Sequence, residues 1–244
     1  MTKYKATLQY VGTRYAGWQI QKNQTTIQGQ LRDALSTISG QPVSVIGTGR
    51  TDSGVHAMAQ VAHFILPKRI PREKLIRSLN GILPWDIRVI SLSLVSSSFH
   101  AQKDAIRKRY EYRIYNGPTL SPFLHGYVLH VRHALDLRAM QEAAQQLCAT
   151  HDFTGFAAAT TQVKNRTRHV TLSQILKRGC HVTYRVEANG FLHHMVRNIV
   201  GTLLQIGSGK RPTGDIRRII QSKDRRIAGP TAPPQGLYLM KIWH

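Results

Sequence analysis

The chain predicts an α+β fold of two ferredoxin-like β-α-β-β-α-β units, with mainly antiparallel sheets flanked by helices. Three observations predict it. Each half opens on a run of strict apolar/polar alternation, the signature of a half-buried strand. Between the alternating runs lie stripes of period 3.6, bounded by capping residues and glycines. The second half repeats the element order of the first, although the two halves share no convincing residue-level repeat.

The first strand follows from Tyr4, Ala6, Leu8 and Tyr10, which alternate with Lys3, Lys5, Thr7 and Gln9. A polar loop from Gly12 to Gln24 holds Tyr15 and Trp18. Thr25 with Gln28 reads as a capping box, and Ile27, Leu31, Leu35 and Ile38 stripe the helix that Gly40 ends. Strands are expected near 43–48 and 56–66. Pro71 then starts a second helix carrying Leu75, Ile76 and Leu79, and Ile87 and Val89 lie in a fourth strand.

In the second half Arg109–Tyr115 alternates as a strand, and Asp136 caps a helix with Leu137, Met140, Ala144 and Leu147 inward. Strands near 169–178 and 181–188 follow. A long helix is expected from Phe191 to Ile206, closed by Gly207, then a shorter one from Thr213 and a last buried strand at 237–242. The join falls near 96–107, so residues 1–100 and 101–244 are the two expected domains.

The charge is the unusual part of the composition. In 244 residues, 34 Lys and Arg stand against 12 Asp and Glu, a formal charge of +22. Such an excess points to a polyanion, most simply nucleic acid, whose phosphates release counterions when neutralised. Basic residues interleave with aromatic or polar ones at Lys103–Tyr115, Lys164–His169 and Lys210–Arg226, as a phosphate-tracking surface would require. No amphipathic basic helix or long apolar run suggests a membrane. The amino terminus has no apolar signal core, so the cytoplasm is expected. Cys148 and Cys180 are far apart in apolar surroundings and read as buried, reduced thiols.

Candidate chemistry narrows by elimination. Gly207-Ser208-Gly209-Lys210 lacks the first glycine of a phosphate loop and has Arg211 where Ser or Thr should stand. Gly47-Thr48-Gly49 lacks the third glycine of a dinucleotide fingerprint. His193 and His194, adjacent on the expected helix, would point in different directions, and no Cys–His spacing suggests a metal. Asp52, Tyr110 and Arg197 remain. Asp52 is the one acid between Ala34 and Arg72, in a glycine-rich loop joining two strands, with Arg50 beside it. Alone it is a turn-former or a reagent. Tyr110 reads as a half-buried strand tyrosine. Arg197 has apolar Val196, Ile199 and Val200 around it, so its head either meets an anion or snorkels to water.

Three separated segments carry a resemblance: Gly49–Ala57, Lys108–Tyr112 and Phe191–Asn198. They resemble the TruA-type tRNA pseudouridine synthases, as do Tyr10–Gln19 and the Gly81–Pro84 turn. The resemblance implies an isomerase that converts uridine to pseudouridine at nucleotides 38, 39 and 40 of the tRNA anticodon stem-loop. It implies a homodimer, no cofactor, no metal, and an active-site cleft between the two units. On it Asp52 is the nucleophile that drives cleavage of the C1′–N1 bond. Tyr110 is the natural platform for a flipped base and a candidate base for the C5 proton. Arg197 would hold the Asp52 carboxylate ionised, and Arg50 would bind a phosphate or wedge into the space the base leaves. Two other readings fit parts of the chain. A non-catalytic protein of two RRM-like RNA-binding units explains the charge and fold, but predicts a Gly-Phe-Gly-Phe-like strand that is missing. A base-removing N-glycosidase using Asp52 would release free uracil.

Overall fold

The computed structural model describes residues 1–244. It divides into two compact units, Met1–Ile106 with Leu239–His244, and Arg107–Tyr238. It is a mixed α+β structure with mostly antiparallel strands.

In the first unit β1 (Thr2–Tyr10) lies between β3 (His56–Leu66) and β4 (Ile87–Leu94), antiparallel to both. The other edge of β3 takes β2 (Val45–Gly47) and the first-unit residues of β10 (Leu237–Trp243). The alternation in β1 has the consequence expected: Tyr4, Ala6 and Leu8 are wholly buried, and Tyr4 stacks on Phe64 of β3. Ladder register shifts at Leu8/Tyr10 against β3, close to where β3 begins, so the bulge falls beside the β2–β3 loop.

Helix α1 (Ile27–Ser39) buries Ile27, Leu31, Ala34 and Leu35, and Gly40 ends it with φ 69°. Its cap differs from the expected one. Thr26, not Thr25, accepts the Gly29 amide at 3.2 Å. Gln28 is drawn away from any capping box: its carbonyl accepts from Ile20 and its amide donates to the Val45 carbonyl. Tertiary bonds won over a local motif. Helix α2 (Arg72–Ile82) starts after Pro71 and buries Leu75 and Leu79.

The second unit has the order β5-β9-β8-β7, all antiparallel: β5 (Arg107–Tyr115), β9 (His181–Ala188), β8 (Thr167–Arg178) and β7 (Ala149–Asp152). The two-residue β6 (Leu129–His130) runs parallel to β5. Both β6 and β7 escaped the sequence reading because they are too short to show a period. Helix α3 (Leu137–Gln145) begins at Asp136, whose carboxylate accepts the Ala139 amide.

Helix α4 (Met195–Gly207) is buried nearly all round, and α5 (Asp215–Ser222) follows. A Cβ on Gly207 would meet Met140 Sδ at 2.5 Å, so this glycine sets the close crossing of α3 and α4. Helix α4 starts four residues later than the expected Phe191, because His194 takes φ 61° and cannot be helical. Cys148 and Cys180 are exposed, against the expectation of buried thiols. Leu147 beside Cys148 and Val182 two residues after Cys180 face the core while the thiols do not. No helix is long and apolar enough to cross a membrane.

His63 of β3 is buried, and its Nδ1 accepts the Ala101 amide at 3.1 Å. Burial, then the charges of Lys3 and His100, push it down to about 4, with Asp104 opposing. Its folded-state pKa lies below the unfolded value, so the neutral ring stabilises fully above about pH 6.5, and that stability drains as pH falls toward 4. His63→Asn keeps an acceptor for Ala101 but has no such titration. Urea unfolding should show a wild-type advantage at pH 7 that shrinks by on the order of 3 kcal/mol by pH 4. A pH-independent gap between the two proteins would disprove this account.

Candidate active site

The β2–β3 loop that presents Asp52 rests on the segment between β1 and α1. A Cβ on Gly12 would stand 2.0 Å from the Val55 carbonyl oxygen, and one on Gly17 (φ 95°) 2.5 Å from the Thr51 oxygen. Only glycine permits backbone to approach backbone this closely. The contact is then fastened by hydrogen bonds. Trp18 donates its amide to the Thr51 carbonyl at 3.0 Å, and the Gly12 amide donates to Nδ1 of buried His56 at 3.1 Å. Ser53 donates its hydroxyl to the Tyr15 carbonyl at 3.1 Å. Below the loop, the Tyr10 and Thr51 hydroxyls bond at 2.8 Å, and burial pushes the Tyr10 phenol up.

Inside the loop the Val55 amide closes on the Asp52 carbonyl at 3.2 Å, with Gly54 at φ 77°. This is a tight turn with its left-handed position filled by glycine. Gln60 donates to the Gly49 carbonyl, and Thr48 donates both amide and hydroxyl to Val61. Thus Asp52 is at once a turn-former in its backbone and a half-buried carboxylate on a fixed mount. Arg50, two residues earlier, is exposed.

The mount itself is anchored to the turn before β4. Tyr15 donates its hydroxyl to buried Asp86 at 2.5 Å, the Val11 amide donates to the Asp86 carbonyl, and Arg14 lies 3.7 Å from the same carboxylate. Burial and Asp86 together push the Tyr15 phenol up.

In the second unit Tyr110 is 8% exposed, its ring edge-on to Phe191 at 5.0 Å. Strand alternation puts Lys108, Tyr110 and Tyr112 on one face of β5. The opposite face carries an ion-pair ladder in which Glu187 takes Arg107 and Arg109 while Glu111 takes Arg185. Lys108 is pulled down to about 8, first by burial and then by the charge of Arg168.

Arg197 is half-buried in the first turns of α4. Its Nε donates to the Ala232 carbonyl at 2.7 Å, and the Ala232 amide returns to the Arg197 carbonyl. The neighbouring Asn198, wholly buried, donates to the Phe156 carbonyl and accepts from Arg225 and Thr231. A Cβ on Gly201 would lie 1.7 Å from the Pro230 oxygen. The first half of the helix bearing Arg197 is therefore clasped by the 229–232 segment, which also ties down Nε of the guanidinium.

His193 and His194 correct an expectation. Because His194 is left-handed, their rings lie close together, with centroids 3.9 Å apart and planes tilted by 39°, not pointing apart as on a helix. The sequence reading also missed the glycine bed and the Lys108–Arg168 proximity. Gly12 and Gly17 were visible as loop glycines, but what they approach lies some forty residues away.

The fold and its charge define an α+β protein suited to a polyanionic partner. A family model described as tRNA pseudouridine synthase matches residues 6–102 and 143–243, and the chain belongs to that family. It is 44% identical over 246 residues to tRNA pseudouridine synthase A of Streptococcus thermophilus (strain CNRZ 1066), covering 99% of both chains. It is 45% identical over 242 residues to the protein of that name from Thermoanaerobacter sp. (strain X514), again across 99% of both. For the Limosilactobacillus reuteri (strain DSM 20016) protein of that name the identity is 42% over 248 residues, covering 99% of this chain and 96% of the other.

Gly12→Ala should displace the Asp52 loop, at a cost of about 1–3 kcal/mol for overpacking against backbone. Hydrogen exchange at the Trp18 and Val55 amides should accelerate at least tenfold. Gly214→Ala, where an added Cβ meets nothing within 4 Å, serves as the silent control. Unchanged protection in Gly12→Ala would show that the loop does not depend on this approach.

Proposed function

We propose that this protein is a tRNA pseudouridine synthase, an isomerase that converts uridine in tRNA to pseudouridine. The full-length match to that family carries the reading. The isomerisation breaks the N1–C1′ bond, forms C5–C1′, removes the C5 proton and returns a proton to N1. A nucleophile and a proton acceptor meet that need without a redox partner or cofactor.

Asp52 is the nucleophile on this reading. The bed of glycines and hydrogen bonds beneath its loop supports the role, since a nucleophile gains from being held in place before substrate arrives. Tyr110 stacks on the flipped uracil and is placed to accept the C5 proton. Its near-complete burial against Phe191 supports a rigid platform. Arg197 orients the carboxylate, and Arg50, exposed on the same loop as Asp52, contacts the RNA backbone.

The target nucleotides are 38, 39 and 40 of the anticodon stem-loop, and the working enzyme is a cytoplasmic homodimer. Phe123, 89% exposed, is the kind of side chain a second subunit would cover. The two units are read as ferredoxin-like, one carrying the Asp52 loop and the other Tyr110 and Arg197.

Tritium release from tRNA labelled at C5 of uridine tests the chemistry. Wild type should release tritium without free uracil, and Asp52→Asn should lose at least a thousandfold in rate. Equal release by the variant would remove Asp52 from the mechanism, and free uracil would indicate an N-glycosidase. Tyr110→Phe keeps stacking and loses the hydroxyl. It should bind tRNA as wild type does but turn over at least a hundredfold more slowly.

A further inference from the structure

Resting on the reading above, we propose that Lys108 and Arg168 form a clamp for one backbone phosphate of the RNA, beside the base held at Tyr110.

The sheet register makes the site. Lys108 of β5 pairs with Ala188 of β9, and Ala188 pairs on its other side with Val170 of β8. Arg168 lies two residues before Val170, so Lys108 and Arg168 fall at the same end of the second-unit sheet. Tyr110 lies two residues along β5 from Lys108, a spacing of about 7 Å on the same face. The phosphate would therefore belong to the flipped nucleotide or its immediate neighbour.

The arginine is shaped for an anion. Its Nη1 donates to the carbonyls of Asn165 (2.9 Å) and Thr167 (2.6 Å), which fixes the plane of the guanidinium. The Nε–Nη2 edge is left for a ligand, and two parallel N–H groups are what two phosphate oxygens accept. Gly190 makes the room: a Cβ there would stand 3.3 Å from Arg168 Nε. Glu187, on the opposite face, holds Arg107 and Arg109. Asp152 holds Lys223 at 2.9 Å.

Two half-buried cations near one another repel, and burial adds to the cost of the lysine's charge. A phosphate between them turns that repulsion into attraction. A perturbed lysine beside a second cation is a common mark of a binding site.

The test uses full-length protein, tRNA labelled at C5 of uridine, and tritium release at several salt concentrations. Lys108→Gln and Arg168→Gln should each raise KM about tenfold and lower the salt slope of tRNA binding by about 1, with kcat within threefold. Lys108→Arg should restore the slope, which a merely structural role for the lysine would not require. Should either Gln variant unfold, a stem-loop with a single neutral methylphosphonate linkage beside the target uridine replaces it. Wild type should then lose the same tenfold at one linkage. The clamp is refuted if the variants keep wild-type KM and slope, or if no single linkage matters while wild type still releases tritium. A wild type that releases no tritium would instead overturn the activity on which the clamp rests.

Discussion

The first unit depends on one close approach. The segment after β1 comes so near the Asp52 loop that its backbone touches the carbonyls of Thr51 and Val55, and glycine at positions 12 and 17 is what makes that possible. Everything else around the loop secures this approach: the Trp18 amide, the His56 ring, the Ser53 hydroxyl and the buried Tyr10–Thr51 pair. A carboxylate on a loop would ordinarily be mobile. Here buried Thr51, Val55 and His56 tie the loop to the core, and Asp52 sits half-buried on it.

The same solution recurs in the second unit with different means. Helix α4 is held by a crossing glycine against α3, by another against the 230 segment, and by a buried asparagine that gathers Arg225 and Thr231. Arg197 inherits its position from that packing. Both units thus use residues without chemistry of their own to fix residues that have it, as preorganised sites require.

Long periodic elements were legible in the sequence. The alternation of Tyr4 to Tyr10, the Ile27–Leu35 stripe and the cap at Asp136 each carry a local signal strong enough to survive folding. The misses came where long-range bonds decide. Gln28 was spent on Ile20 and Val45 instead of on its helix end, and His194 left the helix to adopt a left-handed turn. For the candidate site, motif and isolation singled out Asp52, Tyr110, Arg50 and Arg197. Register between strands, which alone relates Lys108 to Arg168, has no signature within either segment.

The first unit is discontinuous in sequence. Leu239–His244 belong with residues 1–106: the Ile106 amide donates to the Trp243 carbonyl, and His244 reaches the Ala101 carbonyl and packs on Phe99. During synthesis the amino-terminal segment therefore leaves the ribosome lacking a strand that is made more than 130 residues later. The second unit emerges whole in the interval and has all its contacts to hand. The part that carries the Asp52 loop is accordingly the last to be finished, although it is the first to be made. A nascent chain with a folded first unit and an unmade second one is a state this topology does not allow to be complete.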